Sequence, residues 1–294
     1  MFKCLSPAAL GISAPPSDLI EPVLSAGFKA LELDVVSFAD QAARVGLPAA
    51  RRLIDSAKLK MGYFRLPFEV GGLDVDFDVA MKGLPAQVQL AAELGCTRVV
   101  TDVAPADDLR PLHQNFLTYQ QRLQAVAKVL NERGLQLGVG FHATPERRAG
   151  RAFEFIRTFD ALKLLLGMVG AHNVGVCADL FELWASGASP DAVIDGGVNV
   201  VAVFAADAPA DVAPDDALQT QRLLPGETGV IDTSAALKAL AAAGFDGPVV
   251  PMPHPTRFAA LSRAAACKQA GDKLEEAFTA AGLTKAKKTS ALVR

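Results

Sequence analysis

Nine side chains in this sequence have the type and placement for proton transfer or ion binding: Glu32, Asp34, Asp102, His142, Asp179, Glu182, Asp207, Arg222 and His254. Most of them close a short apolar run or open the turn after one. Histidine titrates near neutral pH and a neighbouring carboxylate tunes it, so His142 or His254 beside Asp179 or Glu182 makes an acid–base pair. These four are the candidate catalytic residues. Arg222 offers a guanidinium to a phosphate or carboxylate, and the Gly226–Gly229 stretch offers backbone N–H donors. The plainer reading of Arg222 is an ion pair with Asp207 or Glu227. Glu32, Asp207, Arg222 and Trp184 are the candidate ligand-binding residues. Trp184 and Phe181 flank Glu182, as an aromatic lid or as packing beneath a loop. Glu32 and Asp34 alternate with Leu31, Leu33 and Val35, so both can face inward, and Asp102 sits similarly in its own run.

The elements that must position these groups follow a repeated unit. A helical stretch rich in Ala and Leu ends at a glycine, and a β-branched apolar run follows. Examples are Leu24-Ser-Ala-Gly27 before Phe28 to Val35, and Asn131-Glu-Arg-Gly134 before Leu135 to His142. Glycine accepts the left-handed conformation that terminates a helix. Short, almost wholly apolar runs are strands buried on both faces. The pattern predicts eight strands near residues 4–12, 28–35, 60–66, 97–103, 135–142, 173–180, 198–205 and 248–253, with helices such as Leu84 to Leu94 and Phe116 to Leu130 between them. Strictly alternating strands and helices pair in parallel through right-handed crossovers. Eight units in about 250 residues predict a single (β/α)8 barrel over residues 1–283, whose chemistry belongs at the C-terminal ends of the strands. An open doubly wound sheet is the alternative, but no Gly-x-Gly-x-x-Gly follows the first strand. Residues 207–221 read as a long loop, and residues 284–294 as a frayed basic tail.

Composition narrows the partners. The chain has 294 residues, is 51% hydrophobic and 21% charged, and carries a net charge of -3, so no basic surface invites nucleic acid or membrane. No stretch has the ~18 apolar residues of a membrane span, and Met1 to Pro16 lack a signal-peptide core. Cys4, Cys96, Cys177 and Cys267 show no metal-type spacing; three of them sit in apolar contexts and read as buried thiols, and the expected compartment is a reducing cytoplasm. A small-molecule ligand is expected, and a homo-oligomer is compatible.

Three segments carry a resemblance. Asn173-Val-Gly-Val-Cys-Ala-Asp179 with Ser186-Gly, Arg222-Leu-Leu-Pro-Gly-Glu-Thr-Gly-Val-Ile-Asp232, and Gly244-Phe-Asp-Gly-Pro-Val-Val250 together resemble the xylose-isomerase-like superfamily of sugar isomerases and epimerases. The resemblance implies a (β/α)8 barrel holding one manganese, magnesium or zinc ion. It implies ligands from a Glu on strand 5, an Asp on strand 6, a His on strand 7 and a Glu on strand 8, with a further His three residues after the Asp. The matching positions here are Gly140, Asp179, Phe204, Met252 and, for the further His, Glu182. One of four usual ligands survives. A lone carboxylate does not hold a divalent ion that needs several hard donors, so no cofactor is expected.

Three readings follow from that gap. In the first, His142 and His254, each two residues beyond a missing Glu and so on the same strand face, join Asp179 and Glu182 in a metal site displaced by about 6–7 Å. Only this reading calls for manganese, magnesium or zinc. In the second, the histidines and acids act without metal on a polyol, sugar or keto acid. In the third, the barrel binds a ligand, or serves as a partner subunit, without catalysis.

Overall fold

A computed structural model describes residues 1–284; the tail expected over 284–294 lies, but for Thr284, outside the described residues. Eight parallel strands close into a barrel in sequential order: β1 (Phe2–Leu5), β2 (Ala30–Glu32), β3 (Lys60–Arg65), β4 (Arg98–Val103), β5 (Gln136–Phe141), β6 (Val174–Asp179), β7 (Val200–Ala205) and β8 (Pro248–Pro251). The open-sheet alternative is thereby excluded, because β1 pairs with both β2 and β8.

Two strands are shorter than their apolar runs predict. β1 stops before Pro7, which has no N–H for a ladder, and the run continues as a single 3-10 turn, Ala8–Leu10. β2 stops because Asp34 caps the next helix: its carboxylate accepts from the Ser37 N–H at 3.0 Å. Asp34 is therefore a cap at the surface and not an inward polar group of the site.

The helices form the outer layer: α1 (Pro16–Ser25), α2 (Val35–Val45), α3 (Leu47–Ala57), α4 (Asp74–Glu93), α5 (Leu112–Asn131), α6 (Phe159–Val169), α7 (Leu180–Ala185), α8 (Pro190–Asp195), α9 (Thr233–Ala242) and α10 (Arg263–Ala280). Strand alternation divides the core in two. Outward residues such as Val99, Leu137, Val203 and Val249 pack under the helices. Inward residues Cys4, Ala30, Tyr63, Val100, Cys177, Ala202, Phe204 and Val250 fill the barrel itself. The interior is thus packed rather than hollow. All four cysteines are buried free thiols, one more than the apolar contexts predict. Among the described residues no helix is long and apolar enough to cross a membrane.

Candidate active site

Period-two alternation also builds the site. One step beyond the apolar tier of Ala30, Tyr63, Val100, Cys177, Ala202 and Val250, the same strand faces present Glu32, Arg65, Asp102, Asp179, Phe204 and Met252 at the C-terminal mouth. Gly140 of β5 belongs to this tier. A Cβ there would lie 2.3 Å from a carboxylate oxygen of Asp102, so Asp102 leans into the space that a larger side chain at 140 would need.

Two arginine–carboxylate networks result. In the first, Arg65 donates to Asp102 at 3.1 Å and lies 3.6 Å from Glu32, while the Tyr63 hydroxyl donates to Glu32 at 2.9 Å. The Arg65 guanidinium sits 5.0 Å from the centre of the Phe204 ring, a cation–π contact. Burial works against its charge, but Asp102, Tyr63 and Glu32 outweigh that and raise its pKa.

In the second, Arg222 reaches across the mouth to the end of β6. It donates to Asp179 at 2.6 Å, to Glu182 at 3.3 Å, to the Gln219 side-chain oxygen at 3.2 Å and to the Met252 carbonyl at 3.0 Å. A second contact joins the same guanidinium nitrogen to the other oxygen of Asp179, so both carboxylate oxygens share its proton. The Phe181 ring lies 4.8 Å below the guanidinium. Asp179 also caps α7, accepting from the N–H groups of Phe181 and Glu182.

His142 joins the two networks. Its Nδ1 lies 3.1 Å from Glu182 Oε1 and its Nε2 lies 3.9 Å from Asp102 Oδ2. The buried Glu182 takes in addition the Ala143 N–H at 2.7 Å and the Gln219 amide at 2.7 Å. Burial alone would raise the Glu182 pKa. The hydrogen bond from His142, the charge of Arg222 and the Ala143 N–H instead hold it at about 2. Asp179 goes the other way: its burial pushes it up, and the Glu182 charge adds to the push against the pull of Arg222. Burial lowers the His142 pKa, but its bond to Glu182 and the charges of Asp102 and Glu182 outweigh that, and it stands above its ordinary value.

With Glu182 ionised, the neutral His142 ring carries its proton on Nδ1 and keeps a free lone pair on Nε2. His142, Asp102 and Arg65 line a cavity of about 850 Å³ that also touches Tyr119, Arg147 and the Phe68–Gly72 turn. The cavity lies over β3, β4 and the end of β5, beside the barrel axis rather than on it.

The predicted site residues therefore separate. Glu32, Asp102, His142, Asp179, Glu182 and Arg222 converge. His254 does not: its Nδ1 lies 2.7 Å from the Thr256 hydroxyl, in the turn that Pro253 and Pro255 enforce. Asp207 does not: its carboxylate accepts from the N–H groups of Ala208, Thr228, Gly229 and Ile231, all at 2.8–2.9 Å. It fastens the loop whose backbone donors were expected to meet a phosphate, and the N–H groups of Glu227, Thr228 and Gly229 are used within the protein. Arg222 pairs with neither Asp207 nor Glu227, and Glu227 pairs with Arg257 at 2.8 Å. Trp184 packs on Phe181 with ring centres 5.6 Å apart, and borders a separate outer hollow with Leu180 and Pro190. It is packing, not a lid.

The displaced metal site also fails to assemble. Arg222 lies across Asp179 and Glu182, His254 faces Thr256, and among the described residues no group of three His, Cys, Asp or Glu side chains could hold a metal ion. The ion's ordinary site does not fit either. Phe204 and Met252 offer no hard donor, and the place of a strand-5 ligand is taken by Asp102.

Arg65, Tyr63, Gln219 and Arg147 were not singled out from the sequence. Arg65 had a usable signal, since it is the last polar residue of its strand. Gln219 and Arg147 sit in loops whose paths no periodicity encodes.

Similarity to known proteins agrees with the barrel fold. The family described as xylose isomerase-like TIM barrel matches residues 20–276. A xylose isomerase domain protein from Alicyclobacillus acidocaldarius is 23% identical with a TM-score of 0.84, covering 96% of this chain and 99% of that one. The IolI protein, solved with a zinc atom, is 15% identical with a TM-score of 0.80, covering 97% and 100%. The D-psicose 3-epimerase from Clostridium cellulolyticum H10, solved with D-tagatose, is 14% identical with a TM-score of 0.68, covering 96% and 99%. No curated protein matches the sequence.

Proposed function

We propose that this chain, which belongs to the xylose isomerase-like TIM barrel family and lacks an intact metal site among its described residues, is a metal-independent acid–base enzyme acting on a small hydroxy-carbonyl compound such as a ketose or keto acid. The observation that carries this reading is the His142–Glu182 pair, 3.1 Å apart, in which His142 lines the cavity and its second ring nitrogen lies 3.9 Å from Asp102, another lining residue.

The residues divide the work. His142 Nε2 takes a proton from a carbon beside a carbonyl, and Glu182 stabilises the imidazolium that forms. Arg65, on the same cavity wall, supplies positive charge where an enediolate oxygen develops. Asp102, within 3.9 Å of Nε2, orients the imidazolium and the substrate hydroxyl. Returning the proton to the same carbon, or to its neighbour, gives epimerisation or isomerisation, and loss of a β-hydroxyl gives dehydration. The relatives named for an epimerase and a xylose isomerase domain support that class of substrate.

The test is incorporation of solvent deuterium into a panel of ketoses and keto acids, followed by NMR, with chelator present throughout. The native chain should exchange at least one compound, and His142→Asn should lower that rate by about 100-fold or more. Equal rates for the two proteins would remove His142 as the base. Saturable binding without exchange would favour a ligand-binding barrel, a reading to which the apolar packing of the interior lends some support.

A further inference from the structure

We infer that the guanidinium of Arg222 is the resident cation of this mouth, doing for Asp179 and Glu182 the charge-balancing and orienting work that a bound metal ion would otherwise do. Two carboxylates, Asp179 at the end of β6 and Glu182 in the first turn of α7, have side-chain exposures of 14% and 1%. Burying two such charges side by side without a cation is strongly unfavourable. Among the described residues, the only positive group in contact with both is Arg222, itself 7% exposed.

Three further features fit a built-in guanidinium. Acceptors stand around its plane: Asp179, Glu182, Gln219 and the Met252 carbonyl. A ring face, Phe181, lies beneath it, and a flat delocalised cation stacks on such a face where a hydrated metal ion does not. The neighbouring network is built in the same way, since Phe204 carries the guanidinium of Arg65 on its ring.

The cation is tethered to the chain, so it cannot be chelated, exchanged or lost. It presents no open coordination position, so Arg222 is a positioning residue: it sets the place and charge of Glu182, and through Glu182 the ring of His142.

This inference needs no turnover, so its failure would leave the proposed activity standing, and the reverse. The test is thermal unfolding of Arg222→Ala in the full chain with millimolar guanidinium chloride, with equal sodium chloride as control. Arg222→Ala should melt about 10 °C below the native protein. Guanidinium should restore several degrees to the variant and none to the native chain, and manganese, magnesium or zinc should not raise the native melting temperature. Should Arg222→Ala not fold, Arg222→Met is compared with the double variant Asp179→Asn, Arg222→Met. The Asp179→Asn change should stabilise the chain that already carries Arg222→Met and destabilise the native one. No guanidinium rescue of a folded variant, an Asp179→Asn change that destabilises both chains, or a native chain stabilised by several degrees by one of the metals would overturn the inference.

Discussion

With 1% of its side chain exposed, Glu182 keeps its charge because His142, Gln219, Arg222 and the Ala143 N–H all donate to it. Its folded pKa of about 2 lies below the ordinary 4.5, so its ionised form stabilises the fold above the unfolded pKa, and that contribution is lost as pH falls toward 2. The linked contribution is about 3 kcal/mol. In Glu182→Gln the fall of stability between pH 4.5 and 2 should be shallower than in the native chain, as read from urea unfolding at stepped pH; an unchanged slope would mean that Glu182 is not the linked acid. At this scale the sequence pointed to His142, Asp179, Glu182 and Arg222, which the fold brings together, because each follows an apolar run or a recognisable loop motif. It also pointed to Asp207, His254 and Trp184, which the fold turns to other partners. Which side of a turn a side chain leaves from is set by tertiary contacts, and no spacing in the sequence records them.

Strands and helices were easier to read than the residues at their ends. All eight strands fall inside or beside their apolar runs, because a strand buried on both faces has a distinctive composition. The errors came at β1 and β2, where apolar residues run on past the ladder and the stop is given by Pro7 and by the Asp34 cap. Glycines show the same contrast between local and tertiary causes. In β6, a Cβ on Gly175 would lie 2.1 Å from the Asn199 carbonyl oxygen, which is backbone and cannot yield cheaply. On the exposed face of α6, a Cβ on Gly167 would meet nothing within 4 Å. Gly175→Ala should therefore destabilise by about 3 kcal/mol, whereas Gly167→Ala should stabilise by about 0.5–1 kcal/mol. Denaturant midpoints measure both, and a neutral Gly175→Ala would show that the β6–β7 spacing is looser than described.

At the scale of the whole molecule, a packed barrel floor supports a charged mouth. The apolar tier around Tyr63, Val100 and Cys177 closes the axis from below, and above it Arg222, Asp179 and Glu182 are largely shielded from water. In that setting hydrogen bonds between charged partners are strong and an uncompensated charge is costly. Arginines therefore supply the compensation, and the open volume lies to one side, over β3 to β5. The barrel itself was legible from the repeated helix–glycine–strand unit. The sideways cavity was not, since the loops after β3, β4 and β5 build it. The most direct test of a metal-independent site is the deuterium-exchange rate of one protein sample before chelation, after exhaustive chelation, and after adding back manganese, magnesium and zinc in turn. The account predicts one rate under all these conditions. A rate abolished by chelation and restored by any of the three ions would contradict it.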